Sequence, residues 1–228
     1  TYMNYAEFGE GNKKLIMIPG LGDGLRTDSK LALFYAFLYG KFAKDYTVYV
    51  FSQKTKMPER YSTRKMACDM KEAMDMIGIE KADVIGVSLG GMIAQHLAAD
   101  YPEMVEKLVL VVTAPRKNQY TQGCISGWIE MAKRGDYQKL MLDNFKKMYT
   151  KEYIEKNRWL LKVAGKVGKP TSYERFITMA YACLCHDAYE KLDKIQAKTL
   201  IIGGAKDRTL GGKASLELAE KIRNAELK

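Results

Sequence analysis

Short, almost uninterrupted apolar segments recur along the chain, separated by longer stretches that mix apolar and polar residues. Five of these segments predict strands, at residues 14–18, 47–51, 82–87, 105–113 and 198–203. Continuous apolar runs, rather than alternating ones, are typical of parallel strands in a sheet that helices cover on both faces. The pattern therefore predicts an α/β fold.

The segments between the first predicted strands have helical periodicity. Residues 31–43 and 62–77 are predicted as crossover helices, and in the second of them Met66, Met70 and Met74 recur at helical spacing. Gly78 follows this helix directly, and a glycine at that position is typical of a helix end.

Between residues 115 and 195 the strand pattern disappears. Helices are predicted there at residues 125–133, 137–148, 151–163 and 173–185. Because the segment lies between two predicted strands, we expect an all-helical lid over the carboxyl ends of the strands, where open α/β sheets bind ligands. The predicted division is 1–115 for the first part of the core, 116–195 for the lid and 196–228 for the second part of the core.

The strand at residues 82–87 runs into the pattern Gly-x-Ser-x-Gly, centred on Ser88, and a helical segment follows at once. A turn this tight between strand and helix requires small neighbours and holds its serine in a strained backbone with the hydroxyl exposed. A further glycine, Gly91, allows the helix and the strand to pack closely. Ser88 is therefore the candidate nucleophile.

Acyl transfer also needs N–H groups that stabilise the oxyanion. One is expected from the residue after the nucleophile, Leu89, and a second from the loop after an earlier strand. The glycine-rich loop at residues 18–24 can turn its N–H groups toward the pocket, and Leu21 is its natural donor. The Gly-Lys-Ser/Thr ending of a phosphate-binding loop is absent.

The order of these features resembles the α/β-hydrolase superfamily: a strand with a Pro-Gly-x-Gly loop, the Gly-x-Ser-x-Gly elbow, a helical insertion, and a strand followed by Gly-x-x-Asp. The resemblance spans nearly the whole chain and is strongest to the esterase, enol-lactonase and haloperoxidase-like branch with a helical lid. That family often has His where this chain has Pro19. The resemblance implies an α/β-hydrolase fold with a mostly parallel sheet, and it makes Asp207 the acid of a catalytic triad.

The base of that triad is the open question. In the family order the histidine follows the acid after one more helix and strand, and no histidine follows Asp207. Residues 214–222 supply the helix and residues 225–228 the start of the strand, so we expect the C-terminal strand and helix to be missing and the histidine to lie beyond Lys228. His96 is two helical turns past Ser88 and points away. His186, at the end of the lid, is the alternative base.

The formal net charge of +10 is concentrated in the predicted lid. Residues 116–170 hold 13 basic and 5 acidic side chains, whereas residues 1–115 hold 14 of each. Such a patch attracts anionic ligands, acidic proteins or nucleic acid. Its lysines lie among helix-forming residues without interleaved aromatic side chains, which favours a solvated helical face over a nucleic-acid site.

Other features exclude several classes of protein. The apolar runs are too short to cross a membrane and the N-terminus has no signal-peptide pattern, so no membrane partner and a cytoplasmic location are expected. The four cysteines form no Cys-x-x-Cys pair, and Cys183, Cys185 and His186 have an atypical spacing for metal ligands. Neither a metal nor another cofactor is predicted.

Three functions fit this pattern. The first is a serine hydrolase of carboxylic esters or related small acyl compounds, with an acyl-enzyme on Ser88. The second is an esterase or acyltransferase acting on an acidic carrier protein docked on the basic lid, and the third is a catalytically silent binding protein. An apolar lid surface would suit a homodimer. Lid side chains that line either the pocket or the lid core are Trp128, Met131, Trp159 and Tyr181.

Overall fold

The computed structural model describes residues 3–25, 37, 39–157 and 168–228. Most of the helix predicted at residues 31–43 lies outside these residues, as do the second half of the helix predicted at 151–163 and Trp159.

A seven-stranded sheet forms the centre of the fold, with the strand order β1-β3-β2-β4-β5-β6-β7. Only β1 is antiparallel to its neighbour, and the other pairs are parallel. The strands are β1 (Tyr5–Phe8), β2 (Lys13–Ile18), β3 (Tyr46–Phe51), β4 (Ala82–Val87), β5 (Val105–Val111), β6 (Lys198–Ile202) and β7 (Ala225–Leu227). The predicted α/β fold with a mostly parallel sheet is confirmed, and β1 is an addition to it.

The continuous apolar runs arise because both faces of the sheet are covered. In β2, Leu15 and Met17 pack on one face with Val48 and Val50 of β3. Ile16 points to the opposite face, into the larger core that holds the helices described below. Successive strand side chains point to opposite faces, so burial on both removes the polar alternation of a half-exposed strand.

Seven helices lie in the part of the chain that the structure describes, and none of them is long and apolar enough to cross a membrane. The first begins where Ser62 Oγ accepts a hydrogen bond from Lys65 N at 3.1 Å, and the positive φ of Gly78 follows its end. The helices are α1 (Thr63–Met76), α2 (Leu89–Asp100), α3 (Gln119–Lys133), α4 (Tyr137–Met148), α5 (Lys151–Lys156), α6 (Glu174–Leu184) and α7 (Lys213–Lys221).

We call the segment between β5 and β6 the insertion; helices and connecting loops make up its described residues. It contains α3 to α6 and a 3₁₀ turn at Tyr189–Lys194, with one isolated bridge between Arg116 and Asp187. The helical content agrees with the expectation for this segment. The division of the chain at residues 115 and 195 stays a prediction.

Helix α6 ties the insertion to the carboxyl ends of β2 and β3. The Arg175 guanidinium forms an ion pair with Asp23, which follows β2, and both side chains are about nine-tenths buried. It also donates hydrogen bonds to Ser52 Oγ at 2.8 Å and to the Gln53 carbonyl at 2.7 Å, both just after β3. The backbone of Phe176 packs so tightly on Gly24 that a Cβ there would lie 2.7 Å from Phe176 Cα.

The C-terminal strand was expected to be missing, and this expectation needs correction. Ala225–Leu227 forms β7 and pairs in parallel with β6, and the Lys228 N–H donates to the Ile201 carbonyl at 2.9 Å. The strand forms because the apolar side chains of Ala225 and Leu227 pack against the main core beside α7. Residues 225–227 are thus a strand of the sheet.

Candidate active site

Ser88 lies at the junction of β4 and α2 with φ 54° and ψ −116°. An L-residue rarely adopts this backbone conformation, and it costs on the order of 1–3 kcal/mol. The turn is held from β5, because Ser88 N–H donates to the Val111 carbonyl at 2.9 Å and Thr113 Oγ1 donates to the Ser88 carbonyl at 2.7 Å. Its hydroxyl makes no capping bond to α2, so the oxygen remains available for chemistry.

Two glycines make this turn sterically feasible. A Cβ on Gly90 would lie 1.9 Å from the Ile18 carbonyl oxygen, and one on Gly91 would lie 2.6 Å from Thr113 Cβ. The first contact is with backbone that cannot move away. Helix α2 therefore sits between the end of β2 and the residues after β5 only because these positions lack side chains.

The loop after β2 lies directly beside the serine. A Cβ built on Gly20 would lie 3.3 Å from Ser88 Cβ and 3.9 Å from Ser88 Oγ. The next residue, Leu21, begins a 3₁₀ turn, and Leu89 begins α2. The first N–H groups of a helix have no partner within it, and these two have none among the described residues. Both predicted oxyanion donors thus keep a free N–H, and their role stays a prediction.

Asp207 lies in the loop after β6 and is half-buried. Its Oδ1 accepts hydrogen bonds from the N–H groups of Thr209 at 2.7 Å and Leu210 at 2.8 Å, which fix the carboxylate. Strand β5 separates β4 from β6, so the ends of these two strands are about 10 Å apart. The arrangement of a catalytic triad, with an imidazole between serine and carboxylate, stays a prediction for these two residues.

The two histidines of the chain pack against each other, away from the elbow. Their ring centroids are 5.3 Å apart with an interplanar angle of 83°, and both side chains are buried. His96 lies about 12 Å along α2 from Ser88. His186 Nδ1 lies 2.9 Å from Thr63 Oγ1 at the start of α1. The structure therefore does not bring His186, the alternative base, to Ser88.

Burial dominates the protonation of this histidine pair. It lowers the pKa of His96 to about 4 and that of His186 to about 3 from the usual 6.5. His96 Nδ1 and His186 Nε2 are buried without a hydrogen-bond partner among the described residues. The pair is neutral at physiological pH, and the hydroxyl that His186 contacts, Thr63 Oγ1, is itself buried.

Trp128, Cys183 and Cys185, which the sequence also indicated as candidates, lie in the insertion. Trp128 is buried in the insertion, and its Nε1–H donates to Asp143 Oδ2 at 2.7 Å. Cys183 is buried whereas Cys185 is exposed, so these two side chains do not face one site. Within the described residues, no group of three His, Cys, Asp or Glu side chains is placed to hold a metal ion.

The sequence interpretation missed Arg175, which positions the insertion over the site. One signal could have found it: Arg175 lies one helical turn before Met179, a fully buried residue, so the helical period places both on the same face. An arginine on the buried face of an amphipathic helix needs a partner. The sequence alone does not reveal that the partner is Asp23, 152 residues away.

A mainly parallel sheet whose central strand ends in a strained serine elbow defines the class of α/β hydrolases. The chain belongs to the alpha/beta hydrolase fold family, because the model of that family matches residues 14–228. This is a family of hydrolytic enzymes.

Named relatives of the chain are also hydrolases. RutD of Caulobacter vibrioides, provisionally named a carbamate hydrolase, is 27% identical over 172 residues, which are 75% of this chain and 64% of that protein. The chain thus spans less than two thirds of the first curated relatives that it matches. A 2-hydroxy-6-oxononadienedioate/2-hydroxy-6-oxononatrienedioate hydrolase of Pseudomonas putida is 27% identical over 243 residues, covering 99% of this chain and 82% of that protein.

Solved structures show the same fold. The enol-lactonase from Burkholderia xenovorans LB400 superposes with a TM-score of 0.83 at 22% identity, covering 99% of this chain and 86% of that chain. At this identity the likeness is one of fold.

Proposed function

We propose that the protein is a serine hydrolase of carboxylic esters or related acyl compounds, with Ser88 as the nucleophile. The backbone of Ser88 is the observation that carries the proposal. A positive φ at a non-glycine residue costs stability, and such strain persists where function requires a particular side-chain direction. Family membership supports hydrolysis as the class of reaction.

The proposed reaction has two half-reactions. Ser88 Oγ attacks the acyl carbon and loses its proton to a base, while the N–H groups of Leu21 and Leu89 stabilise the oxyanion. The C–O bond to the leaving alcohol then breaks, and the base returns the proton to that oxygen. Water attacks the acyl-enzyme in the same way and releases the acid and free Ser88. Asp207 orients the base and stabilises its protonated form.

We propose a histidine in the loop after β7 as this base, because neither His96 nor His186 lies near the elbow. The direction of β7 supports this assignment. Lys228 directly follows β7, and its carbonyl accepts a hydrogen bond from the Gly203 N–H at 3.1 Å. Gly203 lies four residues before Asp207. A residue that follows Lys228 would therefore leave the sheet beside the Asp207 loop.

Covalent labelling tests the proposal. A fluorophosphonate should label Ser88 in a form of the protein that carries the histidine after β7, and turnover of small esters should accompany labelling. Ser88→Ala should abolish both. Ser126→Ala, which removes a partly exposed serine on α3, should change neither. If the form with the histidine is neither labelled nor active, the protein is instead a catalytically silent binding protein.

A further inference from the structure

A groove of about 730 Å³ lies beside Asp207, between the loop after β6 and the insertion. One wall consists of residues 205–208 and Gly212. The other consists of Tyr120 at the start of α3 and residues 147–151, where α4 ends and α5 begins. Its volume is within the range of pockets that hold small organic ligands.

The lining of the groove is strongly basic. It contains Lys147, Lys151, Lys206 and Arg208 against a single carboxylate, Asp207, whose Oδ1 already accepts two backbone N–H groups. Lys147 is paired with Asp143. The other three cations have no carboxylate within 4.0 Å among the described residues. The groove therefore presents positive charge that none of the described carboxylates pairs with.

Apolar surface accompanies this charge. Tyr120 and Met148 remain 50% and 64% exposed in the groove, although large apolar side chains are normally buried. Tyr149 also lines the groove and stacks on Tyr153 with ring centroids 4.6 Å apart. Aromatic surface beside unpaired cations suits an anion that carries an apolar body.

The two walls of the groove are joined by direct contacts. Arg208 donates a hydrogen bond to the Tyr149 carbonyl at 3.1 Å. The ring of Tyr120 packs on Gly211, where a Cβ would lie 2.7 Å from the ring, and Asn118 Nδ2 donates to the Leu210 carbonyl at 2.7 Å. The groove is thus built into the junction of the insertion with the Asp207 loop.

We propose that this groove binds an organic anion, specifically the carboxylate-bearing end of the ester substrate. Its role as a substrate site rests on the proposed hydrolase function, because Asp207 is both a lining residue and the proposed triad acid. The size of the groove favours a small molecule over a protein surface, since protein interfaces are larger and flatter. The substrates are then acidic esters rather than neutral ones.

Direct binding tests the groove without turnover. Benzoate should bind in isothermal titration calorimetry, whereas benzamide, its neutral analogue of the same shape, should bind much more weakly. Lys206→Gln and Lys151→Gln should each weaken benzoate binding about three- to tenfold, as expected for partly exposed charges. Lys194→Gln, at an exposed lysine on the 3₁₀ turn before β6, should leave the affinity unchanged. Added NaCl should weaken binding of benzoate and not of benzamide.

Two results would overturn the proposal: equal affinities for benzoate and benzamide, or the same affinity in the Lys206 and Lys151 variants as in Lys194→Gln. Binding of a polyglutamate peptide through Lys206 without binding of benzoate would instead identify the groove as a surface for an acidic protein. Ser88→Ala should bind benzoate normally. In the protein with Ser88 intact and the histidine after β7 present, benzoate binding without fluorophosphonate labelling contradicts the hydrolase function alone, and labelling without benzoate binding contradicts the groove alone.

Discussion

Backbone strain at individual residues is concentrated beside the elbow. Ser88 and Val112 are the non-glycine residues with positive φ in the described part of the chain, at 54° and 40°. They follow the neighbouring strands β4 and β5, and Val112 N–H donates to the Ile202 carbonyl at 2.8 Å. A β-branched residue in this conformation is a genuine outlier. The ends of three adjacent strands are thus held together at the candidate site.

The strain at Ser88 predicts an unusual order of stabilities. Ser88→Gly should be more stable than Ser88→Ala by about 1 kcal/mol, because glycine adopts the positive φ without steric cost. Ser126, in the middle of α3, is the matched control, and there Gly should be less stable than Ala by about 1 kcal/mol. Urea denaturation of the four variants measures both differences. The same sign at both positions would argue against strain at the elbow.

The strained backbone at Ser88 was predictable from the sequence because the constraint on this turn is local. Glycines at fixed spacing allow α2 to lie close to the residues after β2 and β5, and this spacing can be read from the sequence alone. The histidine pair could not be found in this way. His96 and His186 are 90 residues apart, and their contact depends on how α2 packs beside the end of the insertion. A distant contact of this kind leaves no periodic signal in a single chain.

At the scale of elements, the attachment of α6 to the sheet depends on one buried ion pair. Arg175 and Asp23 lie on different elements, and Ser52 Oγ and the Gln53 N–H also donate to the Asp23 carboxylate, at 2.7 and 3.0 Å. The pair satisfies several buried groups at once, so loss of Arg175 leaves the buried Asp23 charge with two neutral donors and no cation.

Removal of one partner should therefore be costly. Arg175→Gln should lower the free energy of unfolding by about 3 kcal/mol, because it strands the Asp23 carboxylate. The double variant Asp23→Asn/Arg175→Gln should lose less than the sum of the two single variants, which a double-mutant cycle in urea measures. Lys139→Gln, at an exposed ion pair with Asp136, should cost less than about 1 kcal/mol. Strict additivity of the two single variants would contradict the coupling.

The elements themselves were largely predictable. Strands β2 to β6 appear in the sequence as short apolar runs bounded by turn residues, a pattern that indicates buried strands. Strand β1 was not predicted, because its four residues alternate between exposed and half-buried positions at the edge of the sheet. Sheet order was beyond the sequence pattern and was not predicted, since pairing between strands depends on contacts distant in sequence.

For the whole molecule, the buried histidine pair makes stability depend on pH. Burial lowers both folded-state pKa values below the usual 6.5, so below that pH the unfolded chain binds more protons than the folded one. The groups around His96 partly oppose each other: Asp100 and Asp187 raise its pKa, and Lys191 and Arg64 lower it. Stability is complete above pH 6.5 and falls as the pH decreases toward the folded-state values.

This dependence is measurable. Between about pH 7 and about pH 5, each histidine should contribute a loss of about 1–2 kcal/mol in the free energy of unfolding. His96→Phe keeps a ring against His186 and removes one titrating group, so it should reduce the slope of stability against pH by about half. Urea denaturation across this range tests the prediction. An unchanged slope in His96→Phe would show that other groups control the acid sensitivity.

The order of strands also assigns the two proposed catalytic side chains to regions of different local stability. Ser88 follows β4, which has β2 on one side and β5 on the other, whereas Asp207 lies in a partly exposed loop between β6 and α7. Local opening starts where few contacts must break, so amide hydrogens of this loop, at residues 204–209, should exchange with deuterium well before those of β4. Mass spectrometry of exchanged peptides measures this order. The loop that holds Asp207, the proposed acid, would then open and close while the turn at Ser88 stays folded.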